Sequence, residues 1–128
     1  LTSEEGEGLR ALKSKIQQCA AQVEDQVLEQ TGQLAQTAVD HAEQWLLHTL
    51  RVDPTAVEAG ARRFALTLGR ALELALLTEH AQWSLTVERD GRAMAAARRF
   101  AQAGIDLIGD TNHLEAVALA NDLPLALA

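Results

Sequence analysis

The stretch that opens at Asp53-Pro54 and runs to Glu88 constrains this chain more than any other. Proline at the first helical position has its φ preset and surrenders only an N–H that has no intrahelical acceptor. The aspartate before it can accept one of the orphan amide protons. From there no proline interrupts the chain before the turn dipeptide Asp90-Gly91. At 1.5 Å per residue this predicts a helix roughly 50 Å long. Its middle carries Phe64, Leu66, Leu68, Leu72, Leu74, Leu76 and Leu77, which point around nearly the whole circumference. A helix apolar on every side must be covered on every side. Either the rest of the chain wraps it, or part of it faces another copy. Its apolar ring is wider than the ~100° stripe of one-sided packing, which predicts self-association through 54–88.

The flanking sequence reads as cover for that helix. Upstream, Leu9, Leu12, Ile16, Cys19, Ala20, Val23, Val27, Leu34 and Ala38 fall mostly at steps of three and four, one helical stripe opposite a Lys, Gln, Glu and Asp face. The pattern continues to Arg51 through Val39, Trp45, Leu46 and Leu50. Gly32 costs about 1 kcal/mol against Ala in a helix interior, so a kink or break is expected near Thr31-Gly32. Downstream of Asp90-Gly91, a helix is expected to Ile108, with Met94, Ala97, Phe100, Ala101 and Ile105 at helical spacing and Gly109 as its left-handed cap. Asp110-Thr111-Asn112 would then cap a short helix over 113–120, before a tail at 125–128. Folding the chain about Asp90-Gly91 makes its two flanking helices antiparallel neighbours. That places Phe100 against Leu77–Trp83, Arg98 and Arg99 within reach of Glu79, and Arg70 opposite Asp110. The pentapeptide Ala61-Arg62-Arg63-Phe64-Ala65 recurs as Ala97-Arg98-Arg99-Phe100-Ala101, but two copies do not make a repeat array.

The expected architecture is therefore all-α: an antiparallel bundle of three long helices and a short C-terminal one, forming a single domain over 1–128. Its parts are a first arm at 1–51, a hairpin at 53–108, and a short helix and tail at 111–128. Composition agrees. With only two Phe, two Trp and no Tyr, the core must be built from Leu, Ala, Val and Ile. Formal charge is −7, and both halves are acidic, which argues against nucleic acid and anionic membranes as partners. No apolar run reaches the ~20 residues of a membrane span. The lone Cys19 and the lack of a signal-peptide pattern point to a reducing, cytoplasmic setting. The chain starts at Leu1, not Met, and reads as a fragment.

No group of residues announces chemistry. None of His41, His48, His80 and His113 has a glutamate three residues before it, as di-iron bundles require. His41, Trp45 and His48 share a helix face and read as surface or interface residues. Cys19 lies on the apolar stripe and reads as a small core residue. No phosphate-cradling glycine loop and no serine elbow occurs. Glu73 and Glu79 lie in the apolar helix beside a supply of arginines, namely Arg62, Arg63, Arg70, Arg98 and Arg99, so pairing outranks a role as base. Catalytic, cofactor-binding and metal residues are all expected to be none.

Arg62-Arg63-Phe64-Ala65-Leu66-Thr67-Leu68-Gly69-Arg70-Ala71-Leu72-Glu73-Leu74-Ala75-Leu76-Leu77 is followed by His80-Ala81-Gln82-Trp83-Ser84-Leu85. This stretch resembles the C-terminal helical region of bacterial acyl-CoA dehydrogenases, as does the Ala-rich segment 92–108, so the similarity covers about 53–108. Members of that family hold FAD between a helical N-terminal domain, a β middle domain and a C-terminal four-helix bundle, and some append further helices. The resemblance implies a helical appendage of an FAD-dependent enzyme that oxidises acyl-CoA thioesters, by proton abstraction and hydride transfer to flavin. Neither the flavin-contacting segments nor the catalytic glutamate has a match here, and Glu73 and Glu79 are not given that role. FAD would belong to the parent, whose remainder would be this chain's partner. The competing readings are a free-standing helical interaction module and a small helical enzyme with its site in the bundle core.

Overall fold

The computed structural model describes residues 3–108. They form four packed helices: α1 (Ser3–Ala21), α2 (Gln26–Val52), α3 (Pro54–Trp83) and the short α4 (Arg92–Gln102), with a π-helical turn at Ser84–Glu88 extending α3. Among the described residues there is no strand. The all-α expectation holds, but the chain is divided differently. The expected short helix at 113–120 and the Gly109 cap lie outside the described residues.

The first arm is two helices, and it breaks at 22–25, not at Thr31-Gly32. Asp25 explains the position. Its carboxylate accepts from the amides of Val27 (2.8 Å) and Leu28 (3.2 Å), capping α2. The amides of Glu24 and Asp25, left over in the bend, both donate to Gln82 Oε1 on α3 at 2.8 Å. Gly32 instead lies buried inside α2, where a Cβ would stand 3.3 Å from the Cβ of Ala20. It is a helix crossing, with the missing side chain letting α1 and α2 close.

Asp53 alone joins α2 to α3. Its amide donates to Thr49 O at 2.8 Å, finishing α2, while its carboxylate accepts from the Thr55 hydroxyl at 2.7 Å and caps no backbone amide of α3. The two helices then run antiparallel and share the most extensive contact in the molecule. The six-membered ring of Trp45 sits over Gly60 of α3, and its ring centroid lies 5.9 Å from that of Phe64. Deeper along the pair, the hydroxyls of Thr31 and Thr78 are 2.7 Å apart, both buried. Thr31 donates onward to Leu28 O at 3.0 Å, so Thr78 is the donor between them.

One core runs through all four helices. Leu9, Ile16 and Cys19 of α1 meet Ala35, Ala38 and Val39 of α2 and Ala71, Leu74 and Ala75 of α3, closed by Phe100 and Ile105. A smaller cluster of Leu28, Ala81 and Ala97 continues it toward the α3–α4 turn. On α1, Lys13 reaches Glu43 (2.8 Å) and Asp40 (3.5 Å) of α2, and the hydrogen bond to Glu43 chiefly holds its pKa above the ordinary lysine value.

α4 stops at Gln102, short of the expected Ile108. Gly104, with φ of +99°, takes the left-handed cap assigned to Gly109. The chain beyond runs non-helically against α3, where Leu107 N donates to Thr67 Oγ1 at 3.0 Å and Ile105 and Ile108 are buried. This changes the hairpin register. Phe100 packs near Arg70, whose guanidinium lies 4.9 Å from its ring centre, and not against Leu77–Trp83. Arg70 Nε donates to Gly104 O at 2.6 Å, while Asp110 lies outside the described residues.

Candidate functional site

The best candidate lies where α3 ends. Its last turns set Glu79, His80, Gln82 and Trp83 beside the α1–α2 bend, and the helix then widens into the π-turn Ser84–Glu88. π-Turns are rare and recur at functional sites. This one is closed by Ser84 Oγ donating to Glu88 (2.8 Å) and by the Asp90 amide donating to Ser84 O (3.2 Å), with Arg89 turning out at φ of 54°. His80 and Trp83 stack, centroids 5.8 Å apart and planes at 23°. With Gln22 and Glu24 across from them, they line an open cleft of about 520 Å³. Gln82 fixes its wall, since its Oε1 holds the bend and its amide nitrogen donates to Thr86 at 3.1 Å. Ring faces with carboxylates at the rim make a ledge suited to recognition.

The expected Glu79–Arg98 or Glu79–Arg99 pair does not form. Glu79 instead acts on Cys19, whose thiol is pushed above its ordinary pKa by burial first and then by that negative charge. The register explains the change, because Arg98 and Arg99 are exposed on α4 while Glu79 looks toward α1. Glu73 is exposed, away from Glu79, so the two carboxylates do not converge.

The histidines also separate. His41 pairs with Asp106, tying α2 to the non-helical run after α4. His48 is exposed, His80 stacks on Trp83, and His113 is outside the described residues. Among the described residues no three His, Cys, Asp or Glu side chains group as metal ligands. Arg62 and Arg63 are exposed on α3.

A second, apolar cleft of about 400 Å³ opens at the other end of α3, among Leu9, Leu12, Trp45, Leu46, Phe64 and Leu68. The sequence singled out Phe64 as a packing residue, and Trp45 both as part of the apolar pattern and, with His41 and His48, as part of a surface or interface face. It held no sign of the His80–Trp83 stack beyond their three-residue spacing, and none of the π-turn.

No helix among the described residues is long and apolar enough to cross a membrane. No curated protein and no solved structure matches the chain. A family model does match, that of the acyl-CoA dehydrogenase 11 C-terminal domain-like family, over residues 7–124. That span takes in the stretch whose texture resembles acyl-CoA dehydrogenases, and extends well to either side of it. The chain belongs to the acyl-CoA dehydrogenase 11 C-terminal domain-like family.

Proposed function

We propose that this chain is the accessory C-terminal helical domain of an FAD-dependent acyl-CoA dehydrogenase of the cytoplasm, and that its work is packing and assembly. The parent would oxidise acyl-CoA thioesters. FAD and the catalytic base would reside in the parent's other domains. The observation that carries this reading is the family match over 7–124. Two structural features support it. The chain's strongest candidate groups, Glu73, Glu79 and Cys19, are respectively exposed, turned to a buried thiol, and held as that thiol. The longest helix, in contrast, keeps Leu66, Leu76 and Trp83 exposed, as a contact domain would.

The test is the enzyme encoded by the full reading frame upstream of Leu1, produced with and without residues 1–128. The upstream sequence is expected to encode the flavin-binding domains. The shortened enzyme should keep its FAD per subunit and lose assembly, and the 128-residue chain alone should be colourless and inert toward acyl-CoA. A yellow isolated chain with stoichiometric flavin would sink the proposal. An upstream frame with no dehydrogenase would leave a free-standing interaction module.

A further inference from the structure

α3 leaves one line of side chains uncovered. Leu66, Gly69, Glu73, Leu76, His80, Trp83 and Val87 are all exposed, and they follow one another at alternating steps of three and four. That spacing keeps Leu66 to Trp83 on one face of α3, with Val87 following on in the π-turn, a strip roughly 30 Å long. The large apolar members are uncovered by any described part of the chain: Leu66 is 45 %, Leu76 42 %, Trp83 50 % and Val87 62 % exposed. The ordering along the strip identifies its occupant. Counted outward from Leu76, Glu73 on one side answers His80 on the other, small Gly69 answers large Trp83, and Leu66 answers Val87.

We propose that the strip binds the same strip of a second copy, antiparallel, about a two-fold axis at Leu76. Such an axis brings residues at equal or nearly equal distances from it, within one residue, face to face, since a two-fold contact must be self-complementary. Leu76 then meets Leu76. Glu73 of each copy meets His80 of the other, twice over by symmetry. The Trp83 ring of each copy enters the space beside Gly69 of the other, where nothing lies within 4 Å of a Cβ position. Leu66 meets Val87. A carboxylate faces an imidazole N–H and a large ring faces a glycine within one strip, which a foreign partner would have no reason to require. This inference rests on the packing and assembly role proposed above and gives it a surface.

The experiment uses the full 128-residue chain. Sedimentation equilibrium from low to several hundred micromolar is expected to show a monomer–dimer equilibrium. Leu76→Glu, which puts two like charges on the axis, is expected to weaken the dimer at least tenfold without loss of helical circular dichroism. His80→Glu should do the same by setting Glu against Glu73. The double variant Glu73→Lys with His80→Glu sets opposite charges against each other across the axis and should restore the dimer. In a Trp45→Phe background, Trp83 emission should shift to the blue as concentration rises. A dimer that survives Leu76→Glu, or a double variant no better than His80→Glu alone, would overturn the axis and leave the assembly role to another surface. A wild-type chain monomeric throughout would overturn the second copy as occupant. The appended-domain reading would still be judged separately, by the parent enzyme's flavin content.

Discussion

Gly60 and Gly69 lie on the same helix and differ in what a side chain would meet. A Cβ at Gly60 would stand 2.3 Å from the Trp45 ring, and one at Gly69 would meet nothing within 4 Å. Both replacements by Ala gain about 1 kcal/mol of helix propensity. Only Gly60→Ala also meets a rigid ring, an overpacking cost of about 1–3 kcal/mol. Urea unfolding should therefore rank Gly69→Ala above the parent, and Gly60→Ala below Gly69→Ala by about that overpacking cost. Equal stabilities would mean that Trp45 does not lie on α3. At Cys19 the chemistry is electrostatic. Burial and Glu79 disfavour its thiolate, so its folded pKa lies above the unfolded one. The stabilisation this linkage contributes is complete below the unfolded thiol pKa of about 8.5 and is lost as pH rises through the folded value. Lys13, also raised, loses its contribution in the same alkaline direction. Comparison with Cys19→Ala isolates the thiol: the parent should lose more stability than the variant between neutral pH and alkaline pH. A disulfide reagent should label Cys19 slowly until the chain is unfolded. Rapid labelling of the native chain at neutral pH would show that Cys19 is not buried.

Between elements, the α2–α3 pairing turns on two hydroxyls. Thr31 both donates to Leu28 O and accepts from Thr78, so Thr31→Val strands a buried donor while Thr78→Val strands nothing. A buried hydroxyl left unpaired costs about 1–3 kcal/mol. Thr31→Val should accordingly destabilise more than Thr78→Val, and the double variant should recover toward Thr78→Val. The opposite order would reverse the direction of the hydrogen bond. The same helices show what the sequence carried and what it did not. Asp53-Pro54 and Asp90-Gly91 marked both ends of the long helix and its π-turn correctly, because a turn there needs only local chemistry. Gly32 misled because its propensity cost is local and visible, whereas its compensation, the approach of Ala20, is tertiary. Asp25 was a readable N-cap, but the apolar stripe runs through Val23 and Val27 without a fault, so periodicity masked the bend. The end of α4 at Gln102 moved Phe100 along α3 and left Glu79 to Cys19, so the candidate site inherited a register the pattern alone could not fix.

Taken whole, the described chain has its two tryptophans at opposite ends of α3: Trp45 at the apolar cleft near Gly60, Trp83 at the cleft by the π-turn. Between them the core draws on every helix, from Leu9 of α1 through Val39 and Leu74 to Phe100. No helix can leave without exposing part of that cluster, and α1 alone would uncover Ile16 and Cys19, both fully buried. We therefore expect a single cooperative domain, and the two indoles make the expectation testable at both ends. Trp83→Phe leaves Trp45 as the only fluorophore of its kind, and Trp45→Phe leaves Trp83. In each variant, urea transitions followed by tryptophan emission and by helical circular dichroism should coincide, as two-state unfolding requires. Concentration must be held low, since a dimer through the Leu76 strip would add mass-action stability to the Trp83 signal. Two midpoints separated between Trp45 and Trp83 would divide the molecule into the end around Gly60 and the end around the π-turn, each unfolding on its own. Coincident midpoints would bind the recognition ledge at His80–Trp83 to the same transition as the apolar cleft, so that a core substitution at Ile16 would loosen a site it never touches.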